Sequence, residues 1–295
     1  MPPSVEPAPL DPAPLSPAWA GLVDDAAIFP PGDAPLHDAA AAHVARRTEA
    51  WADLVGSFVV RDTDVPLLRG TPARLSVVVS GGAGQVAGPA ALCGRLGIEL
   101  AGLEIALRDL DDLAGNARRV VAAVDAARAS GDLPDDVPVF VELPAGEPTH
   151  QWLAAADEVA AAELRLKFRT GGLDARLFPT ADALAGWIDA ALDRETPFKC
   201  TAGLHNAVRH TGDDGFEHHG FVNVLLATRK AFDGAPTAEV VETLEQRDGT
   251  ALATGARAAD LAGARRWFTS FGSCSVSDPL DDLLTLGLIS TEGNR

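Results

Sequence analysis

ELRLKFRTGGLDARLFPTADALAGWIDAALDRETPFKCT, residues 163–201, carries two short apolar runs, ELRLKF and TPFKC, on either side of a longer stretch. Both runs are bounded by Gly, Pro or Asp, as strands buried on both faces are. In the longer stretch Leu184, Trp187, Ile188 and Ala191 recur at i, i+3, i+4 and i+7, one apolar face of a helix over 181–194. Strand, helix and strand at this spacing predict a unit whose two strands lie parallel.

The same alternation recurs outward in both directions. GSFVV (56–60), RLSVVVS (74–80), AGLEIAL (101–107), VPVFVELP (137–144) and RRWFTSFG (265–272) read as strands, and 36–54, 111–129 and 150–161 as helices. That makes seven strands, with GFVNVLLA (220–227) either the eighth or helical. The pattern predicts a (β/α)8 barrel with an irregular closure. A doubly wound parallel sheet is the alternative, but no GxGxxG follows an early strand, and SGGAGQVAG (80–88) has the spacing of a plain loop. GLVDDAAIFPPGDAP (21–35) also reads as a loop, and SVSDPLDDLLTLGL (275–288) as a helix with Pro279 in its first turn and Gly287 at its stop. The expected organisation is a proline-rich arm over 1–19, then one α/β domain over 20–295 with a histidine-rich insert near 203–264.

The 295 residues suffice for one such barrel and its core. A net charge of -18 argues against a nucleic-acid or anionic-membrane partner, and no apolar run reaches spanning length, so a soluble protein acting on a small molecule is expected. A homo-oligomer is compatible with this. Cys93, Cys200 and Cys274 are scattered and form no CxxC pair, and the first residues lack a basic and an apolar signal region, which together predict a cytoplasmic location.

Lysine usage carries the chemistry. Arg occurs 21 times and Lys three times, at Lys167, Lys199 and Lys230. A chain that uses Arg for ordinary positive charge keeps Lys where an amine that can lose its proton is needed. Lys230, in ATRKAFDG, reads as an exposed helix residue; the other two end buried strands. Side chains two apart on a strand share a face, so Lys167 joins Arg169, and Lys199 joins Thr201. With Glu142 and Glu104 on neighbouring strands, two amines and two carboxylates meet at the barrel mouth. One reading is structural: Lys167–Glu142 and Lys199–Glu104 are ion pairs filling the barrel. The other is a nucleophilic Lys167 with its pKa depressed by burial, Arg169 and Lys199, and with Glu142 and His205 moving protons.

LKFRTGG (166–172), then FKCTAGL (198–204), then FTSFGSCSVSDPLDDLLTLG (268–287) is similar in order to three motif windows of class I aldolases of the deoxyribose-phosphate aldolase type. The resemblance implies a Schiff-base lysine at Lys167, a second lysine at Lys199, and no cofactor. It also implies a lyase acting on a small carbonyl compound, its phosphate held near Gly172, Ser273 and Ser275 at a helix N-terminus. Arg169 and Thr170 depart from the residues expected after the lysine, the insert at 203–264 separates the last two windows, and Glu142 is the candidate for the family's acidic partner.

The insert supports a rival chemistry. TAGLHNAVRHTGDDGFEHHGFVNV gathers His205, His210, His218 and His219 among carboxylates, donors that with Glu142 suit a divalent metal. It has neither HxH nor HExxH, so polar loop histidines are the plainer reading, with His205 placed nearest Lys199. A third possibility is a non-catalytic barrel holding an acidic metabolite with Lys167, Arg169 and Lys199. Cys274 reads as a small core residue and Cys200 as packing on the outer face of its strand.

Overall fold

The computed structural model describes residues 15–290. Its strands are β1 (Val23–Asp25), β2 (Val55–Arg61), β3 (Leu75–Val78), β4 (Leu100–Ala106), β5 (Val139–Glu142), β6 (Arg165–Arg169), β7 (Phe198–Thr201), β8 (His210–Thr211), β9 (Glu217–His218) and β10 (Phe268–Ser273). Eight of them close a parallel barrel in the order β1-β10-β7-β6-β5-β4-β3-β2, while β8 and β9 form a separate antiparallel hairpin. This is a (β/α)8 barrel and not an open doubly wound sheet.

Helices follow where the apolar periodicity and caps place them. Thr149 caps the helix His150–Ala161 by accepting from the Trp152 amide, and Thr180 caps Ala181–Asp193 by accepting from the Ala183 amide at 3.1 Å. The apolar face of the second helix lays Leu184, Trp187, Ile188 and Ala191 against the barrel, all buried. They meet the outward residues of β6 and β7. The Phe168 ring lies 5.5 Å from Trp187 and 4.9 Å from Phe198, and Cys200 on the same outer face is buried. Each such aromatic or aliphatic side chain removed from water stabilises the fold by about 1.5–3 kcal/mol. Strand parity then sends Lys167 and Lys199 to the barrel interior.

Closure is made by β1, inside the stretch expected to be a loop. Val23–Asp25 pairs with both β10 and β2, with a register shift against β2. Three residues with two acids give no apolar run, which is why the segment does not read as a strand. The other candidate, 220–227, is the N-cap Gly220 followed by the first turns of the helix Phe221–Phe232. That helix is apolar nearly all round because it is buried between the barrel and the helices Thr237–Glu245 and Leu261–Ala264. The helix expected over 36–54 ends at Ala45 and continues as two single 3₁₀ turns.

Most of the proposed arm, 1–14, lies outside the described residues. Ala18 and Trp19 are buried at the foot of the barrel. There the Arg265 guanidinium donates to the carbonyls of Ala18, Ala20, Gly21, Phe268 and Thr269, joining the approach to β1 with β10. Burial lowers its pKa to about 10.

Candidate active site

Five strands, β1, β4, β5, β6 and β7, deliver charged side chains to one buried line in the barrel interior. The Lys199 ammonium donates to Asp24 Oδ2 and to Glu104 Oε1, both at 2.7 Å. Glu104 Oε2 lies 2.7 Å from the Lys167 Nζ, which also reaches Glu142 Oε2 at 2.9 Å. Arg169 Nε closes the line on Glu142 Oε1 at 2.7 Å. Acid and base alternate, Asp24–Lys199–Glu104–Lys167–Glu142–Arg169, so the formal charges cancel. Both lysines and Glu104 are almost wholly buried, while Arg169 is about one third exposed at the mouth. Burying each ion alone costs several kcal/mol, and the alternation with short contacts offsets that cost.

The electrostatics set the resting protonation state. Burial disfavours the charge on Glu104, but Lys167 and Lys199 outweigh it and hold the carboxyl down at about 2. Burial likewise opposes the ammonium of Lys167, yet Glu104 and Glu142 raise its pKa. Lys199 is raised in the same way by Asp24 and Glu104. This corrects the expectation that Arg169 and Lys199 depress Lys167: the carboxylates between the cations are closer than the cations are to one another. Glu142 is held low by Lys167 and Arg169 against burial.

Both structural pairs expected from parity are present, and Glu104 joins them into one network. Asp24 is the member that sequence reading missed. Its Oδ2 also accepts from the Ser270 hydroxyl at 2.7 Å, and its Oδ1 from the Ser57 hydroxyl and amide at 2.6 and 3.0 Å. Charge balance was the available signal, since Lys167, Lys199 and Arg169 require a third acid beside Glu104 and Glu142.

The β6 and β7 ends meet through glycine. Gly203 has φ +75°, and a Cβ there would lie 2.6 Å from the Thr170 carbonyl oxygen. The Thr170 hydroxyl donates to the Ala202 carbonyl at 2.6 Å, locking the two loops together. Gly172 lies against Leu177, and Thr201 stands beside Gly272 within the mouth.

The remaining candidates lie at the rim. His205 Nδ1 is 3.1 Å from the Ser273 hydroxyl and 4.0 Å from an Asp278 carboxylate oxygen, with Cys274 Sγ at 3.8 Å. Burial lowers its pKa, so the neutral ring is favoured. None of its hydrogen-bond partners belongs to the lysine network. Ser273 donates to the Ser275 carbonyl at 2.6 Å, and Ser275 Oγ accepts from the Asp278 amide at the start of the helix Ser277–Thr285.

His218 is held by Asp214 and packs on His210 in the hairpin of β8 and β9. His219 is buried against the Pro179 carbonyl and Arg209, and burial lowers its pKa to about 4. Among the described residues no three His, Cys, Asp or Glu side chains are grouped to hold a metal ion. A cavity of about 590 Å³ lined by His43, Arg46, Arg47 and Arg74 lies at the foot, at the opposite end from this network.

No protein-family model matches the chain, and no curated protein matches its sequence. Among solved structures it is similar to the tetrameric deoxyribose phosphate aldolase from Aeropyrum pernix, with a TM-score of 0.54 and 12% identity over 92% of this chain and 93% of that one. At that identity the likeness establishes a shared barrel fold. Among the described residues no helix is long and apolar enough to cross a membrane.

Proposed function

We propose that the chain is an aldolase-like lyase that makes or breaks a carbon–carbon bond beside a carbonyl through a Schiff base on Lys167. One observation carries the reading: two lysine amines from adjacent strands share the carboxylate of Glu104 inside the barrel. The arrangement supplies what imine chemistry needs. The Lys167 ammonium gives a proton to a neighbouring carboxylate, and its lone pair attacks the carbonyl carbon. The carbonyl oxygen leaves as water with two protons, and a protonated imine remains, so the charge on the nitrogen is unchanged. Glu142 and Glu104 lie within hydrogen-bond distance of that nitrogen and can take and return protons, while Lys199 keeps a positive charge nearby. The chemistry calls for no metal. The fold of the neighbouring aldolase supports this reading, and a homo-oligomer is part of it.

Borohydride reduction with a panel of small aldehydes and ketones tests it. A stable adduct is expected on the peptide carrying Lys167 and is absent from Lys167→Met. Trapping should speed up with rising pH by about tenfold per unit while the ammonium dominates, because only the neutral amine attacks. A full panel without an adduct rejects the reading.

The same closed network also favours a second reading, an ion-paired plug in a non-catalytic barrel. A plug predicts neither adduct nor turnover, whereas a barrel that holds an acidic metabolite with Lys167, Arg169 and Lys199 predicts metabolite-induced thermal stabilisation, again without adduct or turnover.

A further inference from the structure

Arg169 is the one cation of the network that opens to the mouth, and it is only partly engaged. Its Nε binds Glu142, whereas Nη1 and Nη2 have no hydrogen-bond partner among the described residues. Lys167 Nζ and Arg169 Nε hold the two oxygens of a single carboxylate, at 2.9 and 2.7 Å. The pair is therefore already spaced to share one planar carboxylate. In an imine formed from a 2-keto acid the carboxylate is bonded to the imine carbon, placing an oxygen about 3 Å from the nitrogen by ordinary bond lengths. That is the distance at which Glu142 Oε2 now lies from Lys167, while the other oxygen of the same carboxylate, Oε1, meets Arg169.

The other end of the mouth is poorly suited to an anion. Ser273 and Ser275 spend their hydroxyls on their own loop and helix start, and Asp278 places a carboxylate in the first turn of that helix. A negative group arriving there meets like charge where a free helix N-terminus would attract it.

We propose, resting on the Schiff-base reading, that the carbonyl substrate bound to Lys167 is a 2-keto acid whose carboxylate takes the place of Glu142 on Arg169. Guanidinium and carboxylate are matched for two parallel N–H···O bonds, so Arg169 is a specificity-determining residue. The exchange also has a chemical consequence. Arg169 and Lys167 are what hold Glu142 ionised, so losing Arg169 to the substrate raises the proton affinity of Glu142 just as the hydroxyl of the intermediate must leave as water. The step balances: the ketone oxygen departs as water, the nitrogen keeps one hydrogen and its positive charge, and no oxidant or reductant is used.

The test compares borohydride trapping by pyruvate, a minimal 2-keto acid, with trapping by acetaldehyde, which lacks the carboxylate. It uses the full chain and Arg169→Gln, with circular dichroism to verify the fold of each. Expected is trapping of pyruvate at lower concentration than acetaldehyde. In Arg169→Gln the half-saturating pyruvate concentration rises about tenfold or more, while acetaldehyde changes less than about threefold. Adducts with acetaldehyde and none with pyruvate overturn this inference and leave the Schiff base standing. Equal losses for both probes in Arg169→Gln overturn the role of Arg169, and no adduct with either probe overturns this inference, the Schiff-base reading falling with it only when the whole carbonyl panel is also silent. If Arg169→Gln does not fold, Arg169→Lys replaces it, with the same discrimination between the two probes expected in smaller measure.

Discussion

Glu104 is the hinge of the charge network, since each of its oxygens is held by a different lysine. Its carboxyl titrates at about 2 in the folded chain against an ordinary value of 4.5. A depressed carboxylate stabilises the fold fully above the unfolded pKa, and that contribution is lost as pH falls from about 4.5 to 2, amounting to about 3 kcal/mol. His219 acts at a higher pH. With its pKa lowered to about 4 from 6.5, it withdraws stability as pH falls between those values, because the unfolded state then binds more protons. Urea unfolding should therefore show stability declining in two overlapping stages below pH 6.5, and Glu104→Gln should shrink the more acidic one, to which Glu142 also contributes. The same measurement at neutral pH should find Lys167→Met less stable by about 3–5 kcal/mol, since Glu104 and Glu142 lose a shared partner. Adding Glu142→Gln to it should cost less than the sum of the two single changes.

At the scale of the element, β1 is held less by its own length than by what grips it. Three residues supply few ladder bonds, and Asp24 and Asp25 add side-chain bonds on opposite faces. Asp24 faces Lys199, Ser57 and Ser270 within the barrel, and Asp25 accepts from Arg46 at 2.6 Å and lies 3.1 Å from His43 on the helix side. Arg265 fastens the preceding turn to β10 through five carbonyls. Replacing Arg265 by Met leaves those buried acceptors short of donors, and a loss of about 3 kcal/mol or more is expected in denaturant titration. A change under 1 kcal/mol would show that β10 and the turn are held together by other contacts.

For the whole molecule, closure and the charge network depend on the same segment. A chain beginning at Ala27 would lack β1, leaving β2 and β10 with open edges and Lys199 without Asp24. Such a chain should show no cooperative thermal transition and should aggregate, whereas a barrel that still unfolds cooperatively would make β1 dispensable.

Much of this architecture was legible in the amino-acid order. Strand and helix periodicities predict seven of the eight barrel strands, and parity along ELRLKF and TPFKC sends Lys167 and Lys199 inward, because alternation along a strand is a local property. Composition singled out the same two amines by their scarcity. Tertiary structure alone decided the rest. It made a strand of Val23–Asp25, because three residues gain their pairing only from neighbours 30 or more positions away. It recruited Asp24 across the barrel and made Lys167 an ammonium at rest, since a pKa depends on which charges lie within a few ångströms and sequence order does not measure that distance.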